Sequence, residues 1–160
     1  MISLRSATPS DTGVIFSLIR ELAVYEELLH AVDATEAMIG DALFGVAPRA
    51  FCELAEWDGE VAGFSLWFYN FSTFRGRHGI YLEDLFVRPE FRGRGLGKAL
   101  IVSLAQRCVT ENLARFEWSV LNWNAPSIAF YKALGATMLD DWTGCRVTGD
   151  ALAGLAGRAA

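Results

Sequence analysis

Tyr81-Leu-Glu-Asp-Leu-Phe-Val-Arg-Pro-Glu-Phe-Arg-Gly-Arg-Gly-Leu-Gly-Lys98 is the stretch whose reading decides the fold. Tyr81 to Val87 is rich in strand formers. Arg88-Pro89 ends that strand, because proline has no N–H for a ladder. Arg92, Gly93, Arg94, Gly95, Leu96 and Gly97 have the composition of a loop whose backbone N–H groups wrap a phosphate. Glycine lets a backbone come close to a pyrophosphate, and the helix that follows turns its positive dipole end toward it. Glu83 and Asp84 sit upstream on the feeding strand. An anion cradle beside a carboxylate pair predicts a phosphate-bearing cofactor meeting a cationic or proton-losing substrate.

Three glycine-loop spacings compete. A Walker loop needs Gly-x4-Gly-Lys-Ser/Thr. Gly97-Lys98 fits, but Arg92 replaces the first glycine and Ala99 the magnesium-binding hydroxyl. A Rossmann fingerprint needs Gly-x-Gly-x-x-Gly. Gly93 and Gly95 fit, but Lys98 occupies the third position. The spacing that does fit is Arg-x-x-Gly-x-Gly, at Arg92, Gly95 and Gly97.

The rest of the chain bounds the answer. Its 160 residues suit one domain, 1–160, with a sizeable core. A hydrophobic content of 52% predicts a folded chain. No run of about 18 apolar residues predicts a membrane span, and Met1-Ile-Ser-Leu-Arg5 reads as a first strand, not a signal peptide. Cys52, Cys108 and Cys145 lack metal or redox spacing, so reduced thiols and a cytoplasmic location are expected. His30 and His78 have no ligand company, so no metal site is expected. A net charge of −5 disfavours nucleic acid and favours small cationic partners.

Along the chain, Ile2–Ser6 reads as a strand. Thr8-Pro9-Ser10-Asp11 opens a helix through a capping box with proline in the first turn, expected to run to about Leu28. Thr35 opens a second helix. Phe51–Trp57 and Val61–Tyr69 are strands joined by the hairpin signal Asp58-Gly59. Asn70–His78 reads as a loop, Gly79–Val87 as a central strand, and Gly97 to about Thr110 as the helix behind the glycine loop. Ala114–Leu121 is the next strand. Asn124-Ala-Pro-Ser127 caps a helix ended by Gly135. Thr137–Thr148 is expected to return as a strand or hairpin, and the Ala/Gly-rich tail after Asp150 to fray. The order is β-α-α-β-β-β-α-β-α-β, a mixed α/β sheet with flanking helices.

The glycine loop, with Leu-Glu-Asp-Leu-Phe-Val before it and an apolar helix after it, resembles the acetyl-CoA loop of the GNAT superfamily of N-acetyltransferases. Asn122-Trp-Asn-Ala-Pro-Ser-Ile-Ala-Phe-Tyr-Lys-Ala-Leu-Gly-Ala136 resembles a second motif of that superfamily. Glu21-Leu-Ala-Val-Tyr-Glu26, Tyr81–Val87 and Trp123–Lys132 are similar to the diamine acetyltransferases, which comprise the spermidine/spermine N1-acetyltransferases and their thialysine-acetylating relatives. The resemblance implies the GNAT acyl-CoA N-acyltransferase fold, whose central strands splay into a V-shaped cleft. It implies acetyl-CoA as cosubstrate and, by analogy with similar enzymes, a homodimer. Leu85, Phe86, Val87, Arg92, Gly93, Arg94, Gly95, Leu96, Gly97 and Lys98 would hold CoA, with Asn124, Ala125, Pro126, Ser127 and Tyr131 on its arm. Tyr25, Glu26, Glu83 and Asp84 would meet the amine, and Glu117, Trp118 and Ser119 would edge its channel. The chain departs from the animal polyamine enzymes at Glu27, where they carry an aromatic.

An alkyl amine with a pKa near about 10.4 is almost wholly ammonium at neutral pH, and freeing its lone pair at pH 7 costs about 4.6 kcal/mol. On this reading Glu83, directly or through a water, takes the proton. Asp84 and Glu26 form a negative funnel, with Glu27 as a further candidate. N–H groups near Leu85 and Phe86 polarise the carbonyl, and Tyr131 protonates the departing sulfur. The alternatives are acetylation of an amino acid, an aminoglycoside or a protein N-terminus, or a CoA-binding regulatory module without catalysis. Cys108 as an acyl carrier lacks a base.

Overall fold

Asp58 and Gly59 have φ angles of 51° and 86°, the paired left-handed turn that matches the twist of antiparallel strands. That turn joins β2 (Phe51–Trp57) to β3 (Glu60–Ser72). β1 (Ile2–Ser6) pairs antiparallel with β2, and β3 antiparallel with β4 (Arg77–Val87). β5 (Phe116–Trp118) pairs parallel with β4, so the sheet is mixed and runs β1-β2-β3-β4-β5. A parallel neighbour needs a crossover, supplied by α3 (Leu96–Thr110).

The computed structural model of the protein describes residues 1–158. These form two compact units, the first Met1–Ser119, the second beginning at Val120. The last two positions of the expected 1–160 domain lie outside the described residues. In the first unit, α1 (Thr12–Tyr25) and α2 (Glu36–Phe44) cover one sheet face through Ile15, Leu18, Leu22, Leu43, Leu54, Phe64 and Phe86. α3 covers the other through Ala55, Ala62, Phe91, Leu96 and Leu100. Leu54 and Ala55 feed opposite cores because successive strand residues alternate faces. No helix among the described residues is long and apolar enough to cross a membrane.

Helix starts follow their caps. Asp11 accepts from the Thr8 N–H and hydroxyl, both at 2.8 Å, and a tight turn at Pro9–Asp11 leads into α1. The Thr35 hydroxyl caps α2 by accepting from Met38 N.

Several boundaries differ from the sequence expectation. α1 stops at Tyr25, not near Leu28: Glu27 turns left-handed (φ 61°) and Leu28 N donates back to Ala23 O at 2.8 Å. Leu28 and Leu29 are exposed, so continuing the helix would bury little. The loop expected over Asn70–His78 shrinks, because cross-strand ring contacts carry the β3–β4 hairpin outward. Phe71 and Tyr69 meet the His78 ring at 5.0 and 6.4 Å. β5 spans only Phe116–Trp118, not Ala114–Leu121.

The second unit holds α4 (Ala125–Ala133) and α5 (Gly149–Ala156). Thr137–Thr148 is not a strand; it is almost wholly exposed, and an extended segment with no ladder partner has little to hold it. The tail expected to fray is α5 instead. Thr148 enters it in extended geometry and Asp150 sits in its first turn, a favourable place for a negative charge, and Ala and Leu are strong helix formers.

Candidate active site

The site is organised by where β4 loses its neighbour. β5 pairs with β4 only at Ile80, Tyr81 and Leu82, while β4 continues to Val87. From Glu83 onward, the β5-side edge of β4 has no strand partner among the described residues, which leaves backbone groups there for a ligand. The splay implied by the sequence resemblance is thus present within the first unit.

The same point carries a bulge. Leu66 on β3 faces Asp84 and Trp67 faces Leu82, so Glu83 is an extra residue on β4. A bulge breaks strict alternation and re-aims a side chain. Glu83 is exposed; Asp84 is half-buried. Two residues on, Phe86 lies in the core under α1, and the period of two puts Asp84 on that face. Glu26, half-buried just past α1, acts on Asp84, as does Glu83. Burial and these two negative charges push the Asp84 carboxyl up to about 7. Burial also raises the Glu26 carboxyl.

Beside this acidic end lies the glycine loop. Gly93 and Gly95 have φ angles of 75° and 89°, conformations that favour glycine. A side chain at Gly93 would meet nothing within 4 Å, so glycine is there for the turn and leaves open space above it. The first i→i−4 bond of α3 runs from Ala99 N to Gly95 O at 2.9 Å. The N–H groups of Leu96, Gly97 and Lys98 therefore have no helical acceptor, while the Leu96 side chain is buried and anchors the turn. Arg92, Arg94 and Lys98 are exposed. Orphan amides, open space and three cations fit a pyrophosphate.

Two contacts that sequence reasoning missed fix this loop against α1. The Arg88 guanidinium binds the Glu21 carboxylate at 2.9 Å and donates to Val61 O at 3.0 Å. Arg92 Nε donates to Val87 O at 2.9 Å, and its guanidinium lies 4.7 Å from the Tyr25 ring centre and 5.5 Å from that of Phe86. Arg94 similarly covers Trp57 at 4.8 Å. Glu21, Tyr25 and Trp57 are far from these arginines in sequence, and no local spacing announces the contacts.

The remaining expected site residues fall into two groups. On β5, Glu117 is already engaged: Arg115 approaches one oxygen and Asn70 donates to the other, both at 3.1 Å. The Ser119 hydroxyl is 2.7 Å from that of Tyr81, and Trp118 is half-buried against Phe116. Glu117 is thus a scaffold ion pair more than a free anion. In the second unit, Asn124 is buried and caps α4 by accepting from Ser127 N at 3.3 Å; Ala125 and Pro126 form the first turn, and Tyr131 is buried. Cys108 is half-buried with its thiol raised by burial, unlike an activated nucleophile.

The profile of the acetyltransferase (GNAT) family matches residues 15–136. The thialysine N-epsilon-acetyltransferase of Bos taurus is 38% identical, over 98% of both chains. The L-ornithine N5-acetyltransferase of Arabidopsis thaliana is 32% identical, over 93% of this chain and 85% of its own. Among solved structures, an integron cassette protein from the mobile metagenome of V. cholerae superposes with a TM-score of 0.81 at 25% identity, over 98% of both chains.

Proposed function

The chain belongs to the acetyltransferase (GNAT) family, and from that premise we propose that its amine is a small diamine, polyamine or thialysine-like cation. Transfer of the acetyl group from acetyl-CoA to a small amine is its reaction. The observation that carries the finer reading is the convergence of Glu26, Glu83 and Asp84 at the unpaired end of β4. An acidic cluster recognises a substrate that arrives as an ammonium. The names of the relatives support the same choice, since thialysine and ornithine each carry a side-chain primary amine beyond the α-amino group.

In this mechanism Leu96, Gly97 and Lys98 N–H groups and the Arg92 and Arg94 charges hold the pyrophosphate. N–H groups near Leu85 and Phe86 on the open edge polarise the acetyl carbonyl. The acidic cluster captures the ammonium and accepts its proton, with Glu83 the base expected from the sequence. Tyr131, by its place in the family motif, protonates the leaving sulfur. The amine attacks directly, with no acyl-enzyme. We further propose that the whole chain works as one catalytic domain, because the family match runs through the boundary at Ser119. Location in the cytoplasm, a homodimer, and no nucleic-acid or membrane partner complete the reading; sedimentation of the purified protein tests the dimer.

Ranking kcat/KM over spermidine, putrescine, thialysine, ornithine, lysine, an aminoglycoside and a short peptide tests the substrate class. Preference for the peptide or the aminoglycoside would contradict it.

A further inference from the structure

The carboxylates at the open end of β4 are not equivalent. Glu83 is the extra residue of the bulge and is exposed. Asp84 is half-buried, sits opposite apolar Leu66 on β3, and shares its strand face with Phe86 under α1. The titratable groups that face it are Glu83 on its own strand, Glu26 at the end of α1, and the Cys52 thiol on β2, which feels the Asp84 charge. Both charges acting on Asp84 are negative.

We propose that Asp84 is the catalytic proton acceptor of this reaction, while Glu83 and Glu26 capture the ammonium and make Asp84 a stronger base. The proposal rests on the amine-acetyltransferase reading above and moves the base role from Glu83 to its neighbour. Adjacent carboxylates in a partly buried cluster do not all ionise cheaply. The proton they retain goes to the most buried member. A base works best when its pKa lies near the working pH, and the Asp84 carboxyl, pushed up to about 7, meets that condition.

The ammonium gives one proton to an Asp84 carboxylate oxygen. The freed nitrogen lone pair forms the N–C bond to the acetyl carbon, and the C–S bond breaks with its electron pair on sulfur. A second nitrogen proton leaves as the amide forms, and the thiolate is protonated. Asp84 returns its proton to water. Ammonium and thioester become amide, thiol and one released proton.

The test combines pH profiles of kcat/KM for an accepted amine, at saturating acetyl-CoA, with a carbon NMR titration of the Asp84 carboxyl in the full-length protein. The wild type should lose activity below an apparent pKa near 7. Glu83→Gln and Glu26→Gln should move that limb to lower pH, because each removes a like charge. Asp84→Asn should lower kcat/KM by roughly a hundredfold or more and abolish the limb. A limb that survives in Asp84→Asn but vanishes in Glu83→Gln would overturn the proposal in favour of Glu83. If the wild type acetylates none of the amines, the substrate reading fails, and the titration still decides this one. It also decides if Asp84→Asn does not fold. An Asp84 carboxyl titrating near neutrality, and moving down when spermidine is added, supports the proposal. One titrating in the ordinary carboxylate range overturns it.

Discussion

The Arg92 guanidinium lies 4.7 Å from the centre of the Tyr25 ring, and this stack joins the last residue of α1 to the first residue of the glycine loop. Tyr25 was expected to meet the amine and Arg92 the cofactor; the structure makes them one unit. An exposed cation–π contact is worth about 0.5–1 kcal/mol. Tyr25→Phe keeps the ring and should leave the KM for acetyl-CoA unchanged. Tyr25→Ala should raise it about two- to fivefold, as that energy implies. Steady-state kinetics with acetyl-CoA varied checks this; equal KM values for both variants would show that the stack does not position Arg92.

Tyr131 is buried on α4, and the acid role proposed for it makes a distinct kinetic demand. Tyr131→Phe keeps the ring and removes the hydroxyl. It should lower kcat by roughly a hundredfold while acetyl-CoA binding, measured by calorimetry, changes little. Unchanged turnover would take Tyr131 out of the acid role.

Glu27 sits in left-handed backbone (φ 61°) at the end of α1, where Leu28 N reaches back to Ala23 O. Glycine is the preferred residue in that position of a helix stop. Glu27→Gly should therefore stabilise the protein by about 0.5–1 kcal/mol, or about 1–4 °C in melting temperature. A lower melting temperature would mean that Glu27 makes a stabilising contact outweighing its backbone strain.

Asp11 is buried and accepts from Arg5 Nη1 and Nη2 at 2.8 and 2.9 Å as well as from Thr8. The Arg5 guanidinium holds its carboxyl well below the usual carboxylate range, with the Thr8 donors assisting. Removing it leaves the Thr8 N–H without its acceptor and Arg5 with Glu56 alone, so Asp11→Ala should cost about 2 kcal/mol at pH 7. A depressed carboxyl contributes stability above its unfolded pKa of about 4 and loses it as pH falls toward the folded value. The gap between wild type and variant should therefore narrow below about pH 4. Urea unfolding at pH 7 and pH 3 checks the sign, and a gap that widens in acid would refute it.

Much of this was legible in the chain. Asp58-Gly59, the Thr8, Thr35 and Asn124 caps, and the Gly93-x-Gly95 loop are local devices, and each appears where its residues stand. What was not legible depends on tertiary partners. The Glu83 bulge exists only relative to Leu66 and Trp67 across the ladder. The different burial of Glu83 and Asp84 follows from it, and no spacing within Leu-Glu-Asp-Leu distinguishes the two. Glu117 was expected to edge the channel, and Asn70, which takes one of its oxygens, is brought to it by β3. Thr137–Thr148 was expected to return as a strand or hairpin, yet an extended segment without a ladder partner has little to hold it.

The most direct test of the central claim is release of CoA thiol from acetyl-CoA by the purified full-length protein, with and without a small primary amine. The account predicts release that depends on the amine, saturates with a polyamine or thialysine, and is matched mole for mole by N-acetylated product. Tight binding of acetyl-CoA with no thiol released for any amine would contradict it.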